Sequence, residues 1–246
     1  MSFITRFAPS PTGPLHLGHA YSAMLAHDAA LAAGGTFLLR IDDLDQTRAR
    51  ACWDAQIEDD LAWLGLDWPR PVMHQSARLS RYRAVLGTLW DMGLLYPCTC
   101  TRADIRAAAS APQEGAPLHG PDGVIYPGTC RPSTAPRGPM PRDAALRLDM
   151  ARATGMLATP LSYFENEKTI TPCAMTETVG DVVLARRDTG AAYHLAVVLD
   201  DADQAISHVI RGADLQDATQ IHVLLQRLLG LPTPIYHHHR LIRDET

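Results

Sequence analysis

Two histidines flank a Leu-Gly pair, His16-Leu17-Gly18-His19, directly after a Pro- and Gly-rich run and directly before an Ala-rich one. Neutral imidazoles donate hydrogen bonds to phosphoryl oxygens without fixed charge, and the glycine between them lets the backbone approach a ligand. The preceding run, Arg6-Phe7-Ala8-Pro9-Ser10-Pro11-Thr12-Gly13, follows a short apolar stretch at residues 3–5, so the order is strand, tight loop, helix. A helix N-terminus offers unpaired N–H groups and the positive end of its dipole, which suits phosphate. This spacing points to nucleotide binding.

A second group points to metal chemistry. Cys98 and Cys100 form a Cys-x-Cys pair, and Cys130 follows after a long loop. Thiolates suit a borderline ion such as zinc, whose tetrahedral shell asks for a fourth ligand; Tyr126 and His119 are the candidates. Residues 110–142 are too poor in apolar side chains to order without a staple, which favours a metal over three merely buried thiols. Cys52 and Cys173 stand alone and read as ordinary helix or core residues.

Three further runs have two readings each. Asp42-Asp43-Leu44-Asp45 is either an acidic turn or, with Asp42 at a strand's carboxyl end, a partner for a substrate amine. Asp200-Asp201-Ala202-Asp203 would bind a divalent ion or, the favoured account, form a solvated turn or helix end. His237-His238-His239 reads as a strand end near the nucleotide rather than a metal cage. Adjacent strand residues point to opposite faces, so at most two of the three converge.

The elements that must position these groups follow from periodicity and punctuation. The first helix continues over 24–33 and is capped by Gly34-Gly35, and 36–41 is a buried strand. The resulting βαβ unit puts His16, His19 and Asp42 on one rim, at the carboxyl ends of its strands. Amphipathic helices are predicted at 51–64 and 78–94, and a loop-rich insert follows. Regular patterning returns at 145–148, with strands at 181–185 and 205–211 and helices at 192–199 and 217–229, the last closed by Gly230. The expected fold is α/β, a Rossmann-type doubly wound parallel sheet with a zinc-bearing insertion. Residues 1–96 form the first half of the core, 97–143 the insert and 144–246 the second half.

At 246 residues and 46% apolar, the chain can bury a full core. A formal charge of −5 argues against a broad grip on nucleic acid by phosphate neutralisation and leaves room only for local basic patches. No apolar run approaches membrane-spanning length, and the first residues lead straight into a strand. The expectation is therefore no signal peptide, no membrane, and a cytoplasmic protein with reduced thiols. Nothing demands a dimer, so the chain reads as a monomer.

Three blocks together resemble the class I glutamyl-tRNA synthetases: residues 6–19; Gly35-Thr-Phe-Leu-Leu-Arg40-Ile-Asp-Asp-Leu-Asp45; and Tyr193 to Asp201 with His208-Val-Ile-Arg-Gly-Ala-Asp214. The likeness spans nearly the whole chain outside the insert. The run from Arg211 to Leu215 and the Cys98-x-Cys100 … Tyr126-x3-Cys130 arrangement resemble in particular a short branch of that family without an anticodon-binding domain. The resemblance implies ATP-dependent activation of L-glutamate to glutamyl-adenylate without tRNA, then transfer to the queuosine base in the anticodon loop of tRNA(Asp). It implies that Arg6, Phe7, Ala8, Pro9, Ser10, Asp42, Tyr193 and Arg211 line the glutamate site, Arg211 taking the side-chain carboxylate and Asp42 the ammonium. It further implies that His16, Gly18 and His19 bind ATP, with the two histidines catalytic. Mg2+ would accompany ATP, and one structural Zn2+ would be held by Cys98, Cys100, Tyr126 and Cys130.

Two residues depart from the common pattern. Asp42 stands where the family usually has glutamate, and Val197 where full-length members carry asparagine, which fits the short branch. The Lys-containing second nucleotide signature is expected to follow residues 241–246. The competing readings are a glutamyl-tRNA synthetase fragment charging the 3′ end of tRNA(Glu), a small-molecule nucleotidylyltransferase, and an RNA-binding relative without ATP chemistry.

Overall fold

The computed structural model describes residues 2–109, 119–166 and 168–243; the middle of the predicted insert and the last three residues of the 241–246 run lie outside the described residues. In chain order the first half contains β1 (Ile4–Phe7), α1 (Leu17–Ala32), β2 (Thr36–Ile41), α2 (Ala51–Trp63), β3 (Met73–His74), α3 (Leu79–Asp91) and β4 (Leu95–Cys98). The insert carries α4 (Arg102–Ala109) and a small hairpin of β5 (His119–Gly120) and β6 (Gly123–Val124). There follow β7 (Ala145–Leu148), α5 (Met150–Gly155), β8 (Tyr163–Glu165), β9 (Lys168–Ile170), α6 (Met175–Thr178) and β10 (Val183–Ala185). The chain then forms α7 (Tyr193–Asp203), β11 (His208–Gly212), α8 (Thr219–Leu229) and β12 (Ile235–His239).

Parallel strands need a crossover, and α1 supplies it between β1 and β2, which pair from Ile4 with Thr36 to Phe7 with Leu39. β3 extends this sheet beyond β2. On the other side of β1 runs β11: Ser207 donates from its N–H to the Ile4 carbonyl at 2.9 Å, and the Ile4 N–H donates to Ser207 Oγ at 2.8 Å. β11 pairs in parallel with β12 and β12 with β8, while β9 closes the edge antiparallel. This is an α/β core built on parallel strands. Ala23, Ala26 and Ala30 of α1 pack on Phe37, Leu39 and Ile41. Their small side chains let the helix lie close above the strand ends that carry the site.

Two segments assigned to the second half of that core, the patterned run at 145–148 and the strand expected at 181–185, lie elsewhere. β7 and β10 join β4 in a separate antiparallel sheet, β10-β7-β4, with Leu95 opposite Leu148 and Cys98 opposite Ala145. The physical reason is the insert: a segment that leaves the core and returns brings its two ends side by side, running in opposite directions. The β8–β9 hairpin, which turns through Asn166 at a φ of 45°, escaped the sequence reading because each strand is only three residues long. Cys173 is exposed rather than in the core, and Cys52 is an exposed residue of α2. Among the described residues no helix is long and apolar enough to cross a membrane.

Candidate active site

Strands β1, β2, β11 and β12 all end on one side of the sheet, where a parallel α/β sheet presents its crevice. A cavity of about 720 Å3 opens there. All eleven residues expected to bind glutamate or ATP line it: Arg6, Phe7, Ala8, Pro9 and Ser10 after β1, His16, Gly18 and His19 at the start of α1, Asp42 after β2, Tyr193 at the start of α7, and Arg211 on β11. Val197 joins them from the next turn of α7.

At one end of the cavity His16 occupies the cap position of α1, and the rings of His16 and His19 stack with centroids 3.7 Å apart. Gly18 makes that fold-back possible, since a Cβ there would lie 3.1 Å from His16 Cε1. The His16 backbone N–H donates to His19 Nδ1 at 3.3 Å, which leaves the His19 proton on Nε2 as a donor. Burial, with the His16 ring beside it, holds the His19 pKa below its ordinary value, so the ring is neutral near pH 7. An uncharged donor at His19, with the His16 ring stacked on it beside a helix N-terminus, suits an anionic, phosphate-bearing ligand.

The other end is dominated by Arg211, which is 5% exposed. Its Nε donates to His238 Nε2 at 3.0 Å, its Nη1 to His222 Nδ1 at 3.2 Å, and its Nη2 to the Leu215 carbonyl at 3.1 Å and Thr219 Oγ1 at 2.8 Å. None of these acceptors is a carboxylate. A buried cation held entirely by neutral acceptors is a receptor for an anion. Sequence reasoning placed His238 at a strand end near the ligand but missed its contact with Arg211, and it missed His222 and Thr219, because only packing of α8 and β12 on β11 brings them together. His238 and His239 are buried and His237 is exposed; His238 points to Arg211, and His239 lines the cavity against Tyr21.

Residues 200–203 are the C-terminal end of α7, as the helix-end reading has it, but Asp200 and Asp201 are buried rather than solvated. They are 0% and 5% exposed, on the buried face of α7. Asp201 accepts from Arg6 Nε at 2.9 Å and Nη2 at 3.2 Å, and from Arg40 Nη1 at 2.7 Å. Asp200 accepts from Arg78, Gln75 and Tyr82. Arg6 therefore reaches the cavity with two of its nitrogens already committed to Asp201. Fully buried Arg40 also donates from Nε to Asp42 Oδ1 at 3.0 Å. Burial nevertheless outweighs that contact, because Arg40 is shared with Asp200 and Asp201, and pushes the Asp42 carboxyl up to about 6. Asp43 and Asp45 have structural work instead. Asp43 receives the Ser76 N–H at 2.8 Å and Ser76 Oγ at 2.6 Å, and Asp45 ties down Thr47 and Arg48.

Away from this cavity the Sγ atoms of Cys98, Cys100 and Cys130 lie within 4.8 Å of one another, the only such group among the described residues. The Tyr126 hydroxyl is 3.5 Å from Cys98 Sγ and 3.4 Å from Cys100 Sγ, and accepts from the Cys130 N–H at 2.8 Å. The Arg147 guanidinium lies over the Tyr126 ring, 3.7 Å from its centroid, and burial pushes the phenol's pKa up. Three thiols and one phenol oxygen converging on one point form a donor set that fits a tetrahedral zinc ion. His119, on β5, is not part of the group.

The chain matches the family model described as tRNA synthetases class I (E and Q), catalytic domain, over residues 2–246. It is 61% identical over 246 residues to a glutamyl-Q tRNA(Asp) synthetase of Rhodobacter capsulatus, covering 98% of this chain and 88% of that protein. A glutamyl-Q tRNA(Asp) synthetase of Nocardia farcinica is 44% identical over 244 residues, covering 98% of this chain and 72% of that one. The fold superposes on the glutamate-tRNA synthetase of Elizabethkingia anophelis with a TM-score of 0.79 at 27% identity, covering 100% of this chain and 51% of that one. A glutamate tRNA ligase from Elizabethkingia meningosepticum, solved in complex with its amino acid, gives 0.77 at 27% identity over the same shares. The chain thus spans about half the length of those two solved proteins.

Proposed function

The chain belongs to the class I tRNA synthetases of the glutamate and glutamine type, which are ligases, and from that premise we propose that it activates L-glutamate with ATP and transfers it to the queuosine base of tRNA(Asp). The observation that carries the glutamate half is Arg211, a buried guanidinium with no carboxylate on it, in the same cavity as the His16–His19 pair. The side-chain carboxylate of glutamate takes the remaining Arg211 N–H, on Nη1, and the substrate ammonium pairs with Asp42. Tyr193 and Val197 form the wall between.

In the first step a glutamate α-carboxylate oxygen attacks the α-phosphorus of ATP and pyrophosphate leaves. The chain contributes position and charge stabilisation rather than covalent chemistry. His19 Nε2–H and the helix N-terminus stabilise negative charge on the phosphoryl oxygens, with His16 alongside. A Mg2+ ion bound with ATP would add charge neutralisation at the phosphates. In the second step the queuosine nucleophile attacks the activated carbonyl and AMP leaves.

Support for an RNA partner comes from a second cavity of about 540 Å3 that shares Tyr193 with the first. Arg102, Arg106, Arg147, Arg186 and Arg187 line it with Asp122, Asp181 and Asp188, an excess of positive charge on a chain of net charge −5. Cys98, Cys100 and Tyr126 line the same cavity, so zinc held by them and Cys130 would brace its wall without touching the reacting atoms. The domain reading that goes with this is a catalytic core in two halves, residues 1–96 and 144–246, around an RNA-facing insert at 97–143.

The test is incubation with ATP, labelled glutamate, and tRNAs with or without queuosine. Glutamate-dependent pyrophosphate exchange without tRNA, and label only on queuosine-bearing tRNA(Asp), is the expected outcome. Label on the 3′ end of tRNA(Glu) would replace this reading with that of an ordinary glutamyl-tRNA synthetase domain.

A further inference from the structure

Arg211 cannot accept a hydrogen bond, so each imidazole that touches it must offer an unprotonated nitrogen. His222 accepts at Nδ1, which puts its proton on Nε2, 3.1 Å from His194 Nδ1. His194 must then carry its own proton on Nε2, 3.3 Å from Asp122 Oδ1. On the other side His238 accepts at Nε2, so its proton sits on Nδ1 and is donated to Glu165 Oε1 at 2.7 Å. Thr219 Oγ1, which takes an Arg211 N–H, lies 3.2 Å from His238 Nε2 and can donate to it. Two arms thus leave the guanidinium, each passing through neutral imidazole and each ending on a carboxylate held at a distance. The imidazoles are buried, His222 at 2% exposure, His194 at 5% and His238 at 7%.

Burial and the adjacent guanidinium keep His222 and His238 deprotonated: both lie below the ordinary histidine value, His222 well below it. A carboxylate in either place would pair with Arg211 directly and compete with any anionic ligand. We propose that His222 and His238 are positioning residues for glutamate recognition, orienting Arg211 through neutral acceptors so that its charge is left for the carboxylate of the substrate. This rests on the reading that Arg211 receives that carboxylate.

Isosteric pairs test it, because size and folding are held while charge changes. His222→Asn and His238→Gln keep a neutral acceptor at the position of Nδ1 and Nε2 respectively, whereas His222→Asp and His238→Glu place a carboxylate there. The readout is the KM for glutamate against the KM for ATP in pyrophosphate exchange, with thermal unfolding of each variant and Arg211→Gln as reference. The amide variants should hold the glutamate KM within a few-fold of wild type, and the acid variants should raise it about 30-fold or more, the scale of a lost buried charge pair. The ATP KM should stay unchanged and thermal stability undiminished in the acid variants. Equal glutamate KM values within both amide–acid pairs overturn the inference. An Arg211→Gln protein that keeps the wild-type glutamate KM instead overturns the assignment of Arg211 itself.

Discussion

Replacing Asp42 by asparagine separates what this carboxylate does for a ligand from what it costs the empty protein. The native carboxyl keeps its proton up to about pH 6, whereas the unfolded one loses it near 3.8. Between those values the native state binds more protons than the unfolded state, so stability falls as pH rises through the window. The displacement from 3.8 to about 6, at 1.36 kcal/mol per pH unit, corresponds to about 3 kcal/mol at most. The amide of the Asp42→Asn variant would keep an acceptor for Arg40 Nε without the charge, and Arg40 would retain its bond to Asp201. The variant should match wild type near pH 4 and exceed it by up to about 3 kcal/mol at pH 8, or roughly 6–12 °C in melting temperature for a chain of this size. Urea and thermal unfolding of both proteins across pH 4–8 measure this directly. On the proposed role of Asp42 as partner of the substrate ammonium, the same substitution should raise the glutamate KM about 30-fold or more. A stability difference between variant and wild type that stays flat from pH 4 to 8 refutes the reasoning, as does a variant that is less stable at pH 8.

Other perturbations address the remaining parts of the proposal. His19→Ala should lower the pyrophosphate-exchange rate by about 10²–10³, the scale for one preorganised donor, and a wild-type rate would remove His19 from the chemistry. Purified protein should carry about one zinc per chain by elemental analysis. Cys130→Ser should lose that metal and melt at a lower temperature while the glutamate KM stays unchanged; metal-free protein prepared without chelator would end the zinc assignment. Removing Arg186 and Arg187 together should weaken tRNA binding and reduce the slope of log affinity against log salt by roughly 0.7 per arginine, with no change in the glutamate KM. An unaltered slope would put the RNA elsewhere.

Much of the site was legible because its signals are local. The His16–His19 spacing, the glycine between the rings and the cap position are settled within one turn of helix, and β1, α1 and β2 follow from apolar runs and from Gly34-Gly35. The cysteine group was legible for a different reason: thiols in a Pro- and Gly-rich insert have few other uses. By contrast, the antiparallel β10-β7-β4 sheet and the three-residue β8 and β9 were hidden, since short strands carry too little periodicity to show which neighbour they pair with.

The sequence by itself determined the kinds of residue at the strand ends, their order, and the family they belong to. Only the tertiary structure decided who faces whom among the buried charges. Arg6 meets Asp201 across 195 positions, and Arg211 finds His222 and His238 at 11 and 27. No propensity or spacing encodes those partners. Desolvation makes a buried charge costly unless it is paired or fully hydrogen-bonded. Which pairs form depends on which helices and strands the packed core sets side by side, and that also left Arg211 with neutral neighbours and an open place for an anion.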